Sequence, residues 1–70
     1  MARAVLRNRI RRLRFERGEM TQQGLAALAG CSRQTIVMME QGRHVPSLVL
    51  AMRIAEAFGV RVEDVFQHED

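Results

Sequence analysis

Lysine, tryptophan and tyrosine are missing from this chain of 70 residues, and cysteine and proline occur once each. A single cysteine, Cys31, excludes an internal disulfide and fits a reducing compartment. Phe15, Phe58 and Phe66 are the whole aromatic content. That is too little for the stacking platform that reads single-stranded RNA. No apolar run approaches the length of a membrane span, and the N-terminus lacks a signal-peptide core. A cytoplasmic protein with no membrane partner is expected. Cys31, His44 and His68 are too scattered for a metal site of usual spacing. No Ser-His-Asp grouping, glycine-rich phosphate loop or carboxylate pair is present. An enzyme is therefore not expected, nor is a cofactor or a small-molecule substrate.

What the chain does have is arginine and short apolar segments. Hydrophobic residues make up 47%, enough for a folded globule, and the length allows one domain, expected over 1–70. All eleven basic side chains are arginine, and Arg3, Arg7, Arg9, Arg11, Arg12, Arg14 and Arg17 lie in the first seventeen residues. The end is acidic, with Glu56, Glu63, Asp64, Glu69 and Asp70 against Arg61. A basic end favours an anionic partner such as nucleic acid. A solvated helix face explains the same arginines equally well.

Helix signals punctuate the rest. Asn8 can cap a first helix running to about Arg17, with Leu6, Ile10 and Leu13 on one side and Gly18 as its stop. Thr21 caps a second helix at about 22–29, stopped by Gly30. Ser32 caps a third at about 33–41, stopped by Gly42, and a loop follows through Arg43, His44, Val45 and Pro46. Ser47 caps a fourth at about 48–58, stopped by Gly59, and a last short helix is expected at 62–66. No segment alternates cleanly with period two, although Ala4 to Leu6 can be extended. The expected fold is all-α, five short helices held by mutual packing. Its core is expected from Leu6, Ile10, Leu13, Leu25, Ala26, Ala29, Ile36, Met39, Ala51, Ile54, Ala55, Phe58, Val60, Val62 and Phe66.

Helices two and three are separated only by Gly30, Cys31 and Ser32. Helices joined so tightly cross steeply, as in a helix-turn-helix. Ala26 is small enough for close approach, Gly30 can turn the chain left-handed, and Ile36 plugs the angle. A tight helical corner with no DNA partner has the same signature. The polar residues favour DNA. Helix three opens with Ser32, Arg33, Gln34 and Thr35. Arginine can pair with guanine O6 and N7, and glutamine with adenine N6 and N7. Gln22 begins helix two, where an amide and the helix dipole can hold a phosphate, and Arg43 with His44 offers another anchor. Val37 and Met38 can meet thymine methyl groups.

The run from Met20 to Phe66, with the elements TQ, LA, AG, SRQTI, EQG, PSL, IA, FGV and VF in order, resembles the lambda-repressor-like, or XRE-type, helix-turn-helix domains. The likeness extends back through NRIRRLRFERG and is strongest to compact regulators built of little beyond this domain. It implies a transcriptional regulator, expected to be a repressor, that binds double-stranded DNA. By resemblance, Gln22 contacts phosphate, Ser32, Arg33, Gln34 and Thr35 face the groove, and Arg43 touches the backbone beyond. The family also often pairs an arginine on helix one with a glutamate ending helix three, here Arg14 with Glu40. Four features depart from the pattern. Gly24 stands where many relatives complete a capping box with an acid, the turn Gly18, Glu19, Met20 is longer than in some, Val37 and Met38 stand where polar residues are common and either meet thymine methyls or shift the base contacts elsewhere, and Arg61 replaces a usual cap. The rival reading is an antitoxin-like or protein-interaction helix-turn-helix module.

One helix-turn-helix reads only a few base pairs, so a homodimer on two half-sites is expected, with recognition helices about 34 Å apart. Candidate dimer segments are Val62, Val65 and Phe66 at the end and Ala4, Val5 and Leu6 at the start, the latter pairing as a strand with a second copy.

Overall fold

Three of the helices begin at a capping hydroxyl, and two of those end at a left-handed glycine. The structure, a computed structural model, describes residues 5–69. The described elements run β1 (Val5–Asn8), α1 (Ile10–Glu16), α2 (Gln22–Ala29), α3 (Arg33–Glu40), α4 (Leu48–Phe58), α5 (Val62–Val65) and β2 (Phe66–Glu69). Thr21, Ser32 and Ser47 each accept a hydrogen bond from the backbone N–H three residues on, at 2.9–3.1 Å. Each bond satisfies one of the donors that a helix start leaves open. Asn8 acts one residue earlier than a standard cap. Its Oδ1 accepts from Ile10 N at 3.1 Å, while its Nδ2 donates to the Met39 carbonyl at 2.8 Å. The same side chain thus starts α1 and ties it to α3. Arg61 caps α5 with its backbone alone, its N–H donating to Asp64 Oδ2 at 3.0 Å.

The helices enclose one core. Ile10, Leu25, Ala26, Ala29, Ile36 and Ile54 are wholly buried, and Leu13, Met39, Ala51, Ala55, Phe58 and Phe66 nearly so. Leu6, Val60 and Val62, expected in the core, pack against it while half-buried. Ala26 on α2 and Ile36 on α3 are both wholly buried in this core, and Gly30 at φ +75° turns the chain between the two helices.

The described ends differ from expectation. β1 and β2 form an antiparallel ribbon, with Leu6 opposite His68 and Asn8 opposite Phe66. The extended start therefore pairs along one edge with its own chain, and Phe66 belongs to a strand rather than to the last helix. Val65, expected at a dimer contact and left out of the expected core, is 0% exposed and belongs to the core. A helix of about one turn, closed by a strand, places Val65 in the core. Of the two proposed dimer segments, Val65 and Phe66 are core and Val5 with Leu6 is ribbon. Ala4 lies outside the described residues, as does Arg3. Among the described residues, no helix is long and apolar enough to cross a membrane.

Candidate nucleic-acid interface

The ridge of α3 that faces away from the core follows from its two buried residues. Ile36 and Met39 anchor the helix inward. Positions three, four and seven apart share a helical face, so Gln34, Val37, Met38 and Gln41 form the opposite side. Gln34 and Gln41 are exposed, and Val37 and Met38 half-buried. Arg33 flanks this ridge, also exposed. Ser32 and Thr35 are occupied with each other. Their hydroxyls lie 2.9 Å apart, and Ser32 Oγ takes the Thr35 N–H. These bonds hold the first turn in place, and Ser32 stays exposed at its start.

Behind the ridge is a polar chain spanning three helices. Arg14 grips Glu40 through both guanidinium edges, Nε to Oε2 at 2.8 Å and Nη2 to Oε1 at 3.1 Å. The remaining Arg14 nitrogen, Nη1, donates to the Met20 carbonyl at 2.8 Å. Both side chains are about nine-tenths buried, at 12% and 10% exposure. Gln22 then spans the gap to the surface. Its Nε2 donates to Glu40 Oε1 at 3.3 Å and its Oε1 accepts from Arg33 Nη2 at 3.4 Å. The residue expected at a phosphate is thus also a support for the residue expected at a base.

Arg43 and His44 are placed by the end of α3. Gly42 takes φ +74°, Gly42 N–H bonds the Met39 carbonyl, and Arg43 N–H returns to the Met38 carbonyl at 2.9 Å. This left-handed closure absorbs helix-end carbonyls and turns the chain sharply. Arg43 and His44 emerge exposed, and neither side chain bonds another described residue. Gln34 is likewise exposed with no such bond.

Two residues at this face, Gln41 and Arg11, went unassigned from the sequence, where Val37 already had a place against thymine methyl groups. Gln41 and Val37 belong to the α3 ridge, and both line a groove with Gln22 and Arg11. Periodicity counted from Gln34 reaches them. Arg11 is not accessible that way, because its position depends on how α1 packs beside α2 and α3. Its guanidinium lies 5.8 Å from the centroid of the Phe15 ring, which is itself half-exposed. The other N-terminal arginines divide by role. Arg17 donates to the Phe58 carbonyl at 2.8 Å and covers the Phe58 ring, closing α4. Arg12 pairs with Glu16 one turn on, at 3.2 Å and in solvent. Several of the cluster are therefore structural or locally paired, and of the two that line the groove with Gln22, Arg11 and Arg14, it is Arg11 that is exposed. Cys31 sits half-buried in the turn against the core, where burial pushes its thiol pKa up. It acts as a small turn residue.

A family profile described as helix-turn-helix matches residues 10–65, from the first residue of α1 to the last of α5. The chain belongs to the lambda-repressor-like, XRE-type helix-turn-helix family. An uncharacterized HTH-type transcriptional regulator of Methanocaldococcus jannaschii is 53% identical over 51 residues, covering 73% of this chain and 77% of the relative. One from Archaeoglobus fulgidus is 48% identical over 65 residues, covering 93% and 91%. Another, YgzD of Bacillus subtilis, is 40% identical over 65 residues, covering 93% and 97%. These matches cover 73% to 93% of this chain, so the likeness extends well beyond the α2–α3 corner.

Proposed function

We propose that this helix-turn-helix protein binds double-stranded DNA sequence-specifically and regulates transcription, acting as a repressor and as a homodimer on two half-sites. The observation that carries the reading is the α3 ridge. Gln34, Val37, Met38 and Gln41 line one outward face, with Arg33 at its N-terminal edge. A helix of this width fits the major groove, where arginine and glutamine discriminate bases and apolar groups meet thymine methyls. Ser32 and Thr35 contribute by fixing the first turn.

Phosphate anchoring falls to the groups around the ridge. Arg43 and His44 lie beyond the end of α3, and Arg11 lies beside Gln22 on the other flank. Cations on both flanks straddle a groove and set the register in which the ridge meets the bases. The names of the relatives, as HTH-type transcriptional regulators, support the same reading. Repression then needs only occupancy, since a domain seated on a promoter excludes polymerase from it. Nothing in this scheme calls on a cofactor, and the cytoplasm is where the protein would act.

Selection of bound duplexes from a randomised pool tests this directly. The expected result is a recovered motif a few base pairs long, present twice. A pool that gains no duplex over several rounds would contradict the reading and favour the protein-interaction alternative.

A further inference from the structure

The closure at the end of α3 turns on one carbonyl that two distant parts of the chain share. Gly42 N–H donates to the Met39 carbonyl at 3.0 Å, and Asn8 Nδ2 donates to the same oxygen at 2.8 Å. A carbonyl oxygen has two lone pairs, and both are used here. Arg43 N–H reaches one residue further back, to the Met38 carbonyl at 2.9 Å. Arg43 and His44 leave the helix from this closure.

Asn8 is itself held on both sides. It lies on β1 opposite Phe66, a core residue of β2. The next residue, Arg9, donates its N–H to the carbonyl of buried Val65 at 2.9 Å. Asn8 Oδ1 accepts the Ile10 N–H at 3.1 Å. Starting α1 does not by itself call for asparagine. That bond uses Oδ1 alone, and serine, threonine or aspartate also supplies an oxygen at a helix start. The Nδ2 donor sets asparagine apart from these, and here it goes to a carbonyl 31 positions away.

We propose that Asn8 is a positioning residue for the backbone-contacting loop. By holding the Met39 carbonyl to the ribbon and to the start of α1, it sets where Arg43 and His44 stand relative to Arg11. This role rests on the DNA-binding reading above. Arg11 follows Asn8 by three residues, and Arg43 follows Met39 by four. Cations on opposite flanks of a groove must match phosphates at a fixed spacing. A bond between the start of α1 and the end of α3 fixes that spacing. The Arg14–Glu40 pair joins the same two helices, but it ends on the Glu40 side chain and not on the closure. Base reading is separate from the Asn8 bond. Arg33 and Gln34 lie at the other end of α3, where Ser32 and Thr35 hold the first turn.

The test compares the wild type with Asn8→Ser and Asn8→Thr, which keep an oxygen for the Ile10 N–H and lose the donor to Met39. Arg43→Gln is made alone and in each variant. In the free protein, amide hydrogen exchange at Gly42 and Arg43 should quicken roughly fivefold in both Asn8 variants. Gly59 and Val60, whose N–H groups close α4 in a similar way, should keep wild-type protection. On the selected duplex, both Asn8 variants should flatten the dependence of log affinity on log salt by about one unit, as Arg43→Gln does. Adding Arg43→Gln should flatten it no further, because the two changes remove one contact. Preference for the selected over a scrambled duplex should stay at the wild-type level. Unchanged exchange at Gly42 and Arg43, an unchanged slope, or slope changes that add in the double variants would overturn the proposal while leaving DNA binding intact. Asn8 variants that do not fold would make the residue a folding determinant and overturn it as well. Failure of the wild type to bind any duplex would contradict the DNA reading and take this role from Asn8, even where exchange shows that the bond holds the closure.

Discussion

At the scale of single residues, the arginines of α1 show how one side-chain type is put to different uses. Arg14 is nearly buried and bonded on every edge, to Glu40 and to the Met20 carbonyl. Removing Glu40 strands that guanidinium, so Glu40→Ala should cost about 3–5 kcal/mol. A domain of this size has about 5–15 kcal/mol in all, and chemical denaturation of the variant measures the loss. A change under 1 kcal/mol would mean that water replaces the pair at little cost. Arg11 and Arg43 are exposed and flank the ridge. Arg11→Gln and Arg43→Gln should each flatten the dependence of log affinity on log salt by about one unit, because each phosphate contact by a cation releases a counterion. A slope unchanged in either variant removes that residue from the backbone contacts. Gln22 carries no charge and touches both Glu40 and Arg33. Gln22→Ala should therefore leave the slope alone and reduce discrimination between sites, since Arg33 loses its support.

At the scale of elements, the turns carry as much information as the helices. The bounds of α2 and α4 were legible because Thr21, Ser47, Gly30 and Gly59 are unambiguous stops and starts, and the structure uses each. The Arg14–Glu40 pair was legible only through family resemblance, since the residues lie 26 positions apart. The ribbon was not legible. β1 and β2 are four residues each, and their pairing joins the two ends of the described chain, which no local pattern encodes. Val65 was misjudged for the same reason. In a helix of four residues, periodicity has too little length to define a buried side. The turn after α1 holds an identifiable strain. Gly18 has φ +70° and Glu19 follows at φ +57°, the single non-glycine residue with positive φ among those described. Glu19→Gly should stabilise the fold by about 0.5–1 kcal/mol as the left-handed strain is relieved, less the chain entropy that glycine adds. Thermal melting checks the sign, and a lower melting temperature would show that the Glu19 side chain contributes more than its backbone costs.

At the scale of the whole molecule, the reading depends on one division of labour. A buried ion pair and a shared core hold α1, α2 and α3 in fixed relation, so that the α3 ridge and the flanking cations meet a duplex as one rigid surface. In the proposed function, backbone contacts give affinity for any sequence and the ridge gives preference for one. The two contributions separate in a single experiment, in which wild type, Arg33→Ala and Gln34→Ala are titrated against the selected duplex and a scrambled one at fixed salt. The account predicts that each alanine weakens binding to the selected duplex by about 1–3 kcal/mol and leaves binding to the scrambled duplex nearly unchanged. Equal weakening on both duplexes, or none on either, would contradict base reading by α3.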